Sequence, residues 1–453
     1  MRHARILAAL LVATPLVATA QLTNLDTAAV TAAMEREMQS TRSPGASIAI
    51  VIGDRVVYER GFGVTNVERD EPVTPGTLFR IGSVTKMFTG LTAVLMSQRG
   101  TIDLHEPIGT YAGGLHPSLR TITLHQLLGH MGGIISEGAD TGPHDDRALG
   151  DRVKAWTASH LLAPPGDVYS YTGPGYWLAG YALEQAGGKW YADLVTEQVL
   201  RPLGMTRSTF RPTMAMTWPV ALDHRVTDSV RVIRPSPDDA STWPSGSLYS
   251  SARELARFAI AFMNGGRIAG AQAISPAAIA TMSTKHGGMP GEECGYSYGL
   301  STCTRGSTRV LSHYGFRVGS GAVFTMVPEH KLAIIVLSNR NGGIFGGTER
   351  AILDQVLPAV QQTSGPQSAP APRAQFAGVY VSGRDTLRFT PRGDSLFYAY
   401  ATNDEMLTRA EGDSGIIILD PSGQAVQQFG LVKGIKSGNV YLHDGLNAFR
   451  KIR

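Results

Sequence analysis

The stretch "RIGSVTKMF", residues 80–88, decides how the rest of the chain is read. Ser83 precedes Lys86 by three positions. If Ser83 opens a helix, Lys86 lies one turn on, with both side chains on the same face. A serine hydroxyl is a weak nucleophile until a neighbouring base takes its proton. A helix N-terminus supplies free N–H groups that steady a developing anion. The plainer reading is an N-cap serine followed by a surface lysine. The chain argues against it: of its eight lysines only Lys86 has serine three positions earlier. Lys86 also leads into the apolar run "MFTGLTAVLM", where an ammonium is costly unless neutralised or hydrogen-bonded.

Outward from this stretch the chain organises itself around a sheet built from both ends. "NLDTAAVTAAMEREMQS", with Asn24 and Asp26 as helix starters, predicts a helix. "ASIAIVIGDRVVYERGFG" predicts a hairpin turning at Gly53-Asp54. Residues 101–263 carry helical patches between Gly/Pro loops. Strands return in "GSGAVFTMVPEHKLAIIVLSN", and "GGTERAILDQVLPAV" closes as a helix. This order predicts an α+β fold with a helical subdomain inserted between two halves of one sheet. The expected domain spans residues 21–360. Residues 361–375, "QQTSGPQSAPAPRAQ", have linker composition. Residues 376–453 carry short β-rich runs and predict a small all-β barrel or sandwich.

Several segments, in order, resemble the serine β-lactamases and penicillin-binding proteins, most closely the class C β-lactamase group. That group includes D-alanyl-D-alanine carboxypeptidases, D-amino-acid peptidases and esterases. "LFRIGSVTKMFT" resembles the nucleophile motif, and "TITLHQLLGHMGGI" resembles the family's Leu-Leu-x-His-x-Ser-Gly segment. "PGDVYSYTGPGYWLAG" resembles the stretch with the second motif, and "WPSGSLYSSARELARFA" a further landmark. "HYGFRVGSGAVFTMVPEHKLAIIVLSN" resembles the third motif and its strands. The resemblance covers residues 45–340 and implies a β-lactamase-like antiparallel sheet flanked by helices.

It also implies roles. Ser83 would be the nucleophile, and Lys86 with Tyr171 would relay its proton to the leaving group. A phenol near an ammonium would exist partly as phenolate. Gly173 stands where the family's Tyr-x-Asn motif has Asn. His313-Tyr314-Gly315 stands where class C β-lactamases have Lys-Thr-Gly, so His313 would replace a permanent cation with a group titrating near neutrality. Gly315 would let a strand edge approach the substrate closely. The N–H of Phe316 would pair with that of Ser83 as an oxyanion hole. His130 reads as a loop-fixing residue. No metal or organic cofactor is implied.

The implied activity is that of an exported serine hydrolase, acting through a Ser83 acyl-enzyme on small esters or on amides and peptides with a D-residue. A true β-lactamase is the second enzymatic reading, since two of three motifs are altered. A non-catalytic binder of peptidoglycan fragments is the reading from another class.

Residues 1–20, "MRHARILAALLVATPLVATA", have a basic head, a short apolar stretch and a small-x-small site before Gln21. They predict a cleaved signal and a periplasmic or secreted protein without a membrane span. In that compartment Cys294 and Cys303, the only cysteines, are expected to pair. The net charge of +4, without a basic run, gives no support to nucleic-acid binding. His125 and His130 miss zinc spacing, and no Gly-x-Ser-x-Gly elbow is present. The partner expected is a small-molecule ester, amide or peptide; oligomeric state is left open.

Overall fold

The computed structural model describes residues 25–138, 141–289, 292, 294–357, 373–401, 405–411 and 415–452. The expected signal segment and linker residues 361–372 lie outside these. The last linker residues start a 3₁₀ turn, Arg373–Phe376.

The first helix, Thr27–Thr41, begins where Asp26 accepts the N–H of Ala29, as a capping aspartate should. The predicted hairpin follows as strands Gly45–Ile52 and Arg55–Asn66. Strand Gly45–Ile52 then pairs antiparallel with Leu332–Ser338, in register Ala46 to Ser338 and Ile52 to Leu332. The two ends of the domain thus meet in the middle of an eight-stranded sheet. Its order is 295–296, 301–305, 308–317, 320–327, 332–338, 45–52, 55–66, 69–72.

The central strands are buried on both faces, so they read as continuous apolar runs. Alternate residues nevertheless go to different cores. Ile48, Ile50, Ile334 and Val336 pack under the helices Thr27–Thr41 and Gly346–Val356, beside Val30, Met34 and Ile352. Ala49, Val51, Phe324, Ile335 and Leu337 face the helical subdomain, against Phe88, Leu91 and Phe258. Each fully buried branched or aromatic side chain contributes about 1.5–3 kcal/mol. Cys294 and Cys303 form a disulfide, tying the two-residue edge strand Gly295–Tyr296 to its neighbour Ser301–Arg305.

The C-terminal region is a closed eight-stranded barrel, which settles the choice between barrel and sandwich. Pairing of Tyr380 with Lys451 joins the first strand to the last and removes free edges. Phe389, Tyr398, Phe429 and Phe449 fill its interior. No helix among the described residues is long and apolar enough to cross a membrane.

Candidate active site

Ser83 lies in a 3₁₀ turn, Gly82–Thr85, that runs directly into the buried helix Lys86–Gln98. Gly82 makes the turn possible. Its φ is +51°, and a Cβ there would lie 2.7 Å from the amide nitrogen of Phe316. Gly315 is equally constrained, since its Cβ would fall 2.0 Å from the carbonyl oxygen of Ile81. The nucleophile turn and the strand Thr308–Arg317 therefore touch backbone to backbone, with the amide of Phe316 beside Gly82.

Lys86 is 1% exposed. Its Nζ lies 3.0 Å from Ser83 Oγ and donates to the carbonyl of Ser245 at 2.8 Å. It makes no ion pair among the described residues, and burial pushes its pKa down to about 7. The same Nζ is 4.9 Å from the centre of the Tyr171 ring. Tyr171 lies beside Ser83, yet burial drives its pKa upward. The expectation of a partial phenolate is thus corrected: an amine that is about half uncharged at pH 7 faces a protonated phenol, because desolvation penalises both charged forms.

Three neighbouring amides fix the Tyr171 segment. The N–H groups of Ser170 and Thr172 donate to the carbonyl and Nδ1 of His130, at 2.9 and 3.2 Å. His130 sits in the left-handed region, with φ +57°, and its ring packs 4.3 Å from that of Tyr171. The N–H between them, on Tyr171, donates to the carbonyl of Leu446 in the barrel at 2.7 Å.

The barrel grips the same segment further back. The Asp167 carboxylate accepts the N–H groups of Lys436 and Ser437, the Ser437 hydroxyl and the Tyr441 hydroxyl, at 2.7–2.8 Å. His443 Nε2 donates to the carbonyl of Tyr169 at 2.9 Å, and the N–H of Ala448 to Ser170 Oγ at 3.1 Å.

His313 is placed beside this group, its ring centre 6.1 Å from that of Tyr171, with both ring nitrogens engaged elsewhere. Its Nδ1 donates to the carbonyl of Tyr314 at 2.8 Å, which leaves Nε2 as the acceptor for the Tyr296 hydroxyl, also at 2.8 Å. Burial, then the Lys86 charge, push its pKa down to about 3. The expected titration near neutrality is therefore not found; His313 is a neutral, fully engaged ring.

A side chain at Gly173 would meet Ser245 Oγ at 3.4 Å. That hydroxyl is already held by the indole N–H of Trp177 at 2.7 Å. The carbonyl of the same Ser245 supplies the hydrogen bond that holds Lys86. Ser245, Tyr296 and Leu446 are the site residues that sequence reasoning did not single out. Ser245 sits within the recognised "WPSGSLYSS" landmark, and Tyr296 within the cysteine hairpin, whereas Leu446 carried no signal. His125 lies elsewhere, bonded to Tyr298, and no metal-binding group occurs among the described residues.

The sheet, the inserted helices and the Ser83–Lys86–Tyr171 grouping define the class that the family comparison reports. The β-lactamase family model matches residues 30–359, and the chain belongs to that family. Among curated relatives it is 25% identical over 334 residues to Protein flp of Staphylococcus aureus (strain COL), covering 71% of this chain and 64% of flp. It is 25% identical over 362 residues to penicillin-binding protein 4 of Amycolatopsis lactamdurans, covering 74% of this chain and 93% of that one. The crystal structure of SurE superposes with a TM-score of 0.79 at 24% identity, covering 95% of this chain and 100% of SurE. The shared fold thus includes the barrel.

Proposed function

We propose that this protein is a serine hydrolase that works through a Ser83 acyl-enzyme, on small esters or on amides and peptides carrying a D-residue. The observation that carries the reading is the buried Lys86 amine, 3.0 Å from Ser83 Oγ, with no carboxylate among the described residues to hold its charge. An amine with a pKa of about 7 is an effective base at neutral pH, since about half of it is unprotonated there.

The neutral amine takes the Ser83 proton as Oγ attacks the substrate carbonyl carbon. The resulting oxyanion lies between the N–H groups of Ser83 and Phe316, which the Gly82–Gly315 contact holds together. Tyr171, protonated and beside Lys86, gives its proton to the departing alkoxide or amine, and the Lys86 ammonium restores it. Water then enters, with the same groups returning their protons, and releases the acid. His313 holds Tyr296 and the strand in place without exchanging protons near neutral pH. Gly173 offers no side-chain amide to a β-lactam's acylamino group, which places β-lactams behind esters and D-peptides as substrates.

Turnover of a chromogenic ester, a D-alanyl peptide and a cephalosporin, by wild type and Ser83→Ala, tests this reading. Hydrolysis of the first or second by wild type alone is expected. Equal inertness of both proteins on all three would leave a binding protein.

A further inference from the structure

The mouth of the barrel holds a cavity of about 380 Å³ that is separate from Ser83. Its floor is the top of the barrel core: Leu387, Tyr398 and Phe449, all nearly fully buried. Its rim carries two carboxylates, Asp385 and Asp444, and no lysine, arginine or histidine among the described residues lines it. Asp385 accepts the Tyr400 hydroxyl, and Asp444 caps its own turn through the N–H groups of Leu446 and Asn447. Ser382 also lines the cavity. It is 1% exposed, and its Oγ has no hydrogen-bond partner.

An unsatisfied buried hydroxyl costs about 1–3 kcal/mol, which a ligand that bonds to Ser382 would recover. Space, an apolar and aromatic floor, a rim of one charge sign and an orphan polar atom together describe a small-molecule site. The volume suits a ring with a short chain. The aromatic faces and the carboxylates both favour a cation.

We propose that the barrel mouth binds a small organic ammonium compound, with its apolar body on Leu387, Tyr398 and Phe449 and its ammonium beside Asp385, Asp444 and Ser382. The site neighbours the catalytic groups without containing them. The turn from Asp444 to Asn447 lines it, and Leu446 of that turn holds the Tyr171 amide. Ser136 lines it too, next to Ile135, whose carbonyl accepts the Thr172 hydroxyl at 3.1 Å. The proposal does not depend on the hydrolase reading, because it is read out by binding alone.

Isothermal titration of the full chain with 2-phenylethylammonium, 2-phenylethanol and 3-phenylpropanoate tests it. The ammonium should bind at least about tenfold more tightly than the alcohol, as expected for one charge-assisted contact in a partly buried site. The carboxylate should not bind. Asp385→Asn should weaken the ammonium by a similar factor, and Ser382→Ala, which changes no charge, by a smaller one. Enzyme first labelled on its nucleophile with a fluorophosphonate should bind the ammonium unchanged. Equal affinity for ammonium and alcohol, unchanged binding in both variants, loss of binding after labelling, or no binding by about 10 mM would each overturn the proposal.

Discussion

The amide of Tyr171 donates to the carbonyl of Leu446 across 2.7 Å, joining residues 275 positions apart. A loop of the barrel thereby completes the hydrogen bonding of the segment that presents the proposed catalytic phenol. The barrel is part of the site's scaffold.

Asp167 is the strongest point of that attachment. Burial raises its carboxyl pKa, but the bonds from Ser437, Tyr441 and Lys436 outweigh burial and leave it lowered. Asp167→Ala should cost about 1–3 kcal/mol, because the buried Tyr441 hydroxyl and the partly buried N–H groups of Lys436 and Ser437 are left without an acceptor. It should also lower turnover by displacing Tyr171. The sign of the pH effect follows from the lowered value. The stabilisation is complete above the ordinary carboxyl pKa of about 4 and fades as pH falls through the folded-state value. Thermal melts from pH 6 down to pH 2 should show wild type losing stability faster than the variant.

Lys86 sets the pH dependence of acylation. With its pKa near 7, kcat/KM for an ester should rise through neutral pH and level off once the amine is unprotonated. His313, pushed to about 3, should add no second limb between pH 5 and 8. Lys86→Arg keeps a permanent charge and should lose about 10²–10⁴ of the rate at every pH. A stopped-flow or plate-reader pH profile of wild type and variant checks both points.

Gly315→Ala places a methyl group 2.0 Å from the Ile81 carbonyl oxygen, so the strand has to move away from the nucleophile turn. The oxyanion donors then separate. A fall in kcat of about 10²–10³ is expected, as when one such donor is lost. KM should change much less.

Tyr296→Phe removes the Tyr296 hydroxyl that donates to His313 Nε2 and leaves a buried acceptor without it. A loss of about 1–3 kcal/mol in denaturant unfolding is expected, with a modest fall in kcat. His313→Gln could not both donate to the Tyr314 carbonyl and accept from Tyr296 in the same geometry, so it should cost more than Tyr296→Phe.

The local features were legible because each has a local cause. Asp26 marks a helix start by its capping side chain, Gly53 marks the hairpin by its positive φ, and apolar runs mark the doubly buried strands. Ser83, Lys86 and Tyr171 could be proposed from short motifs in order, and the structure brings them together. Burial was not legible. His313 reads as a titrating group in a three-residue motif, and only the packing of Tyr296 and Lys86 around it shows why it stays neutral. Nor was the barrel's grip on residues 167–171, since Asp167 and its partner Tyr441 stand in no recognisable motif and lie 274 positions apart in the chain.

The central claim is that Ser83 is the acylated residue. Intact-mass and peptide mass spectrometry after reaction with a fluorophosphonate at pH 8 tests it most directly. The account predicts one adduct per chain, on the peptide containing Ser83, and none in Ser83→Ala. An adduct on another serine, or equal labelling of Ser83→Ala, would contradict it.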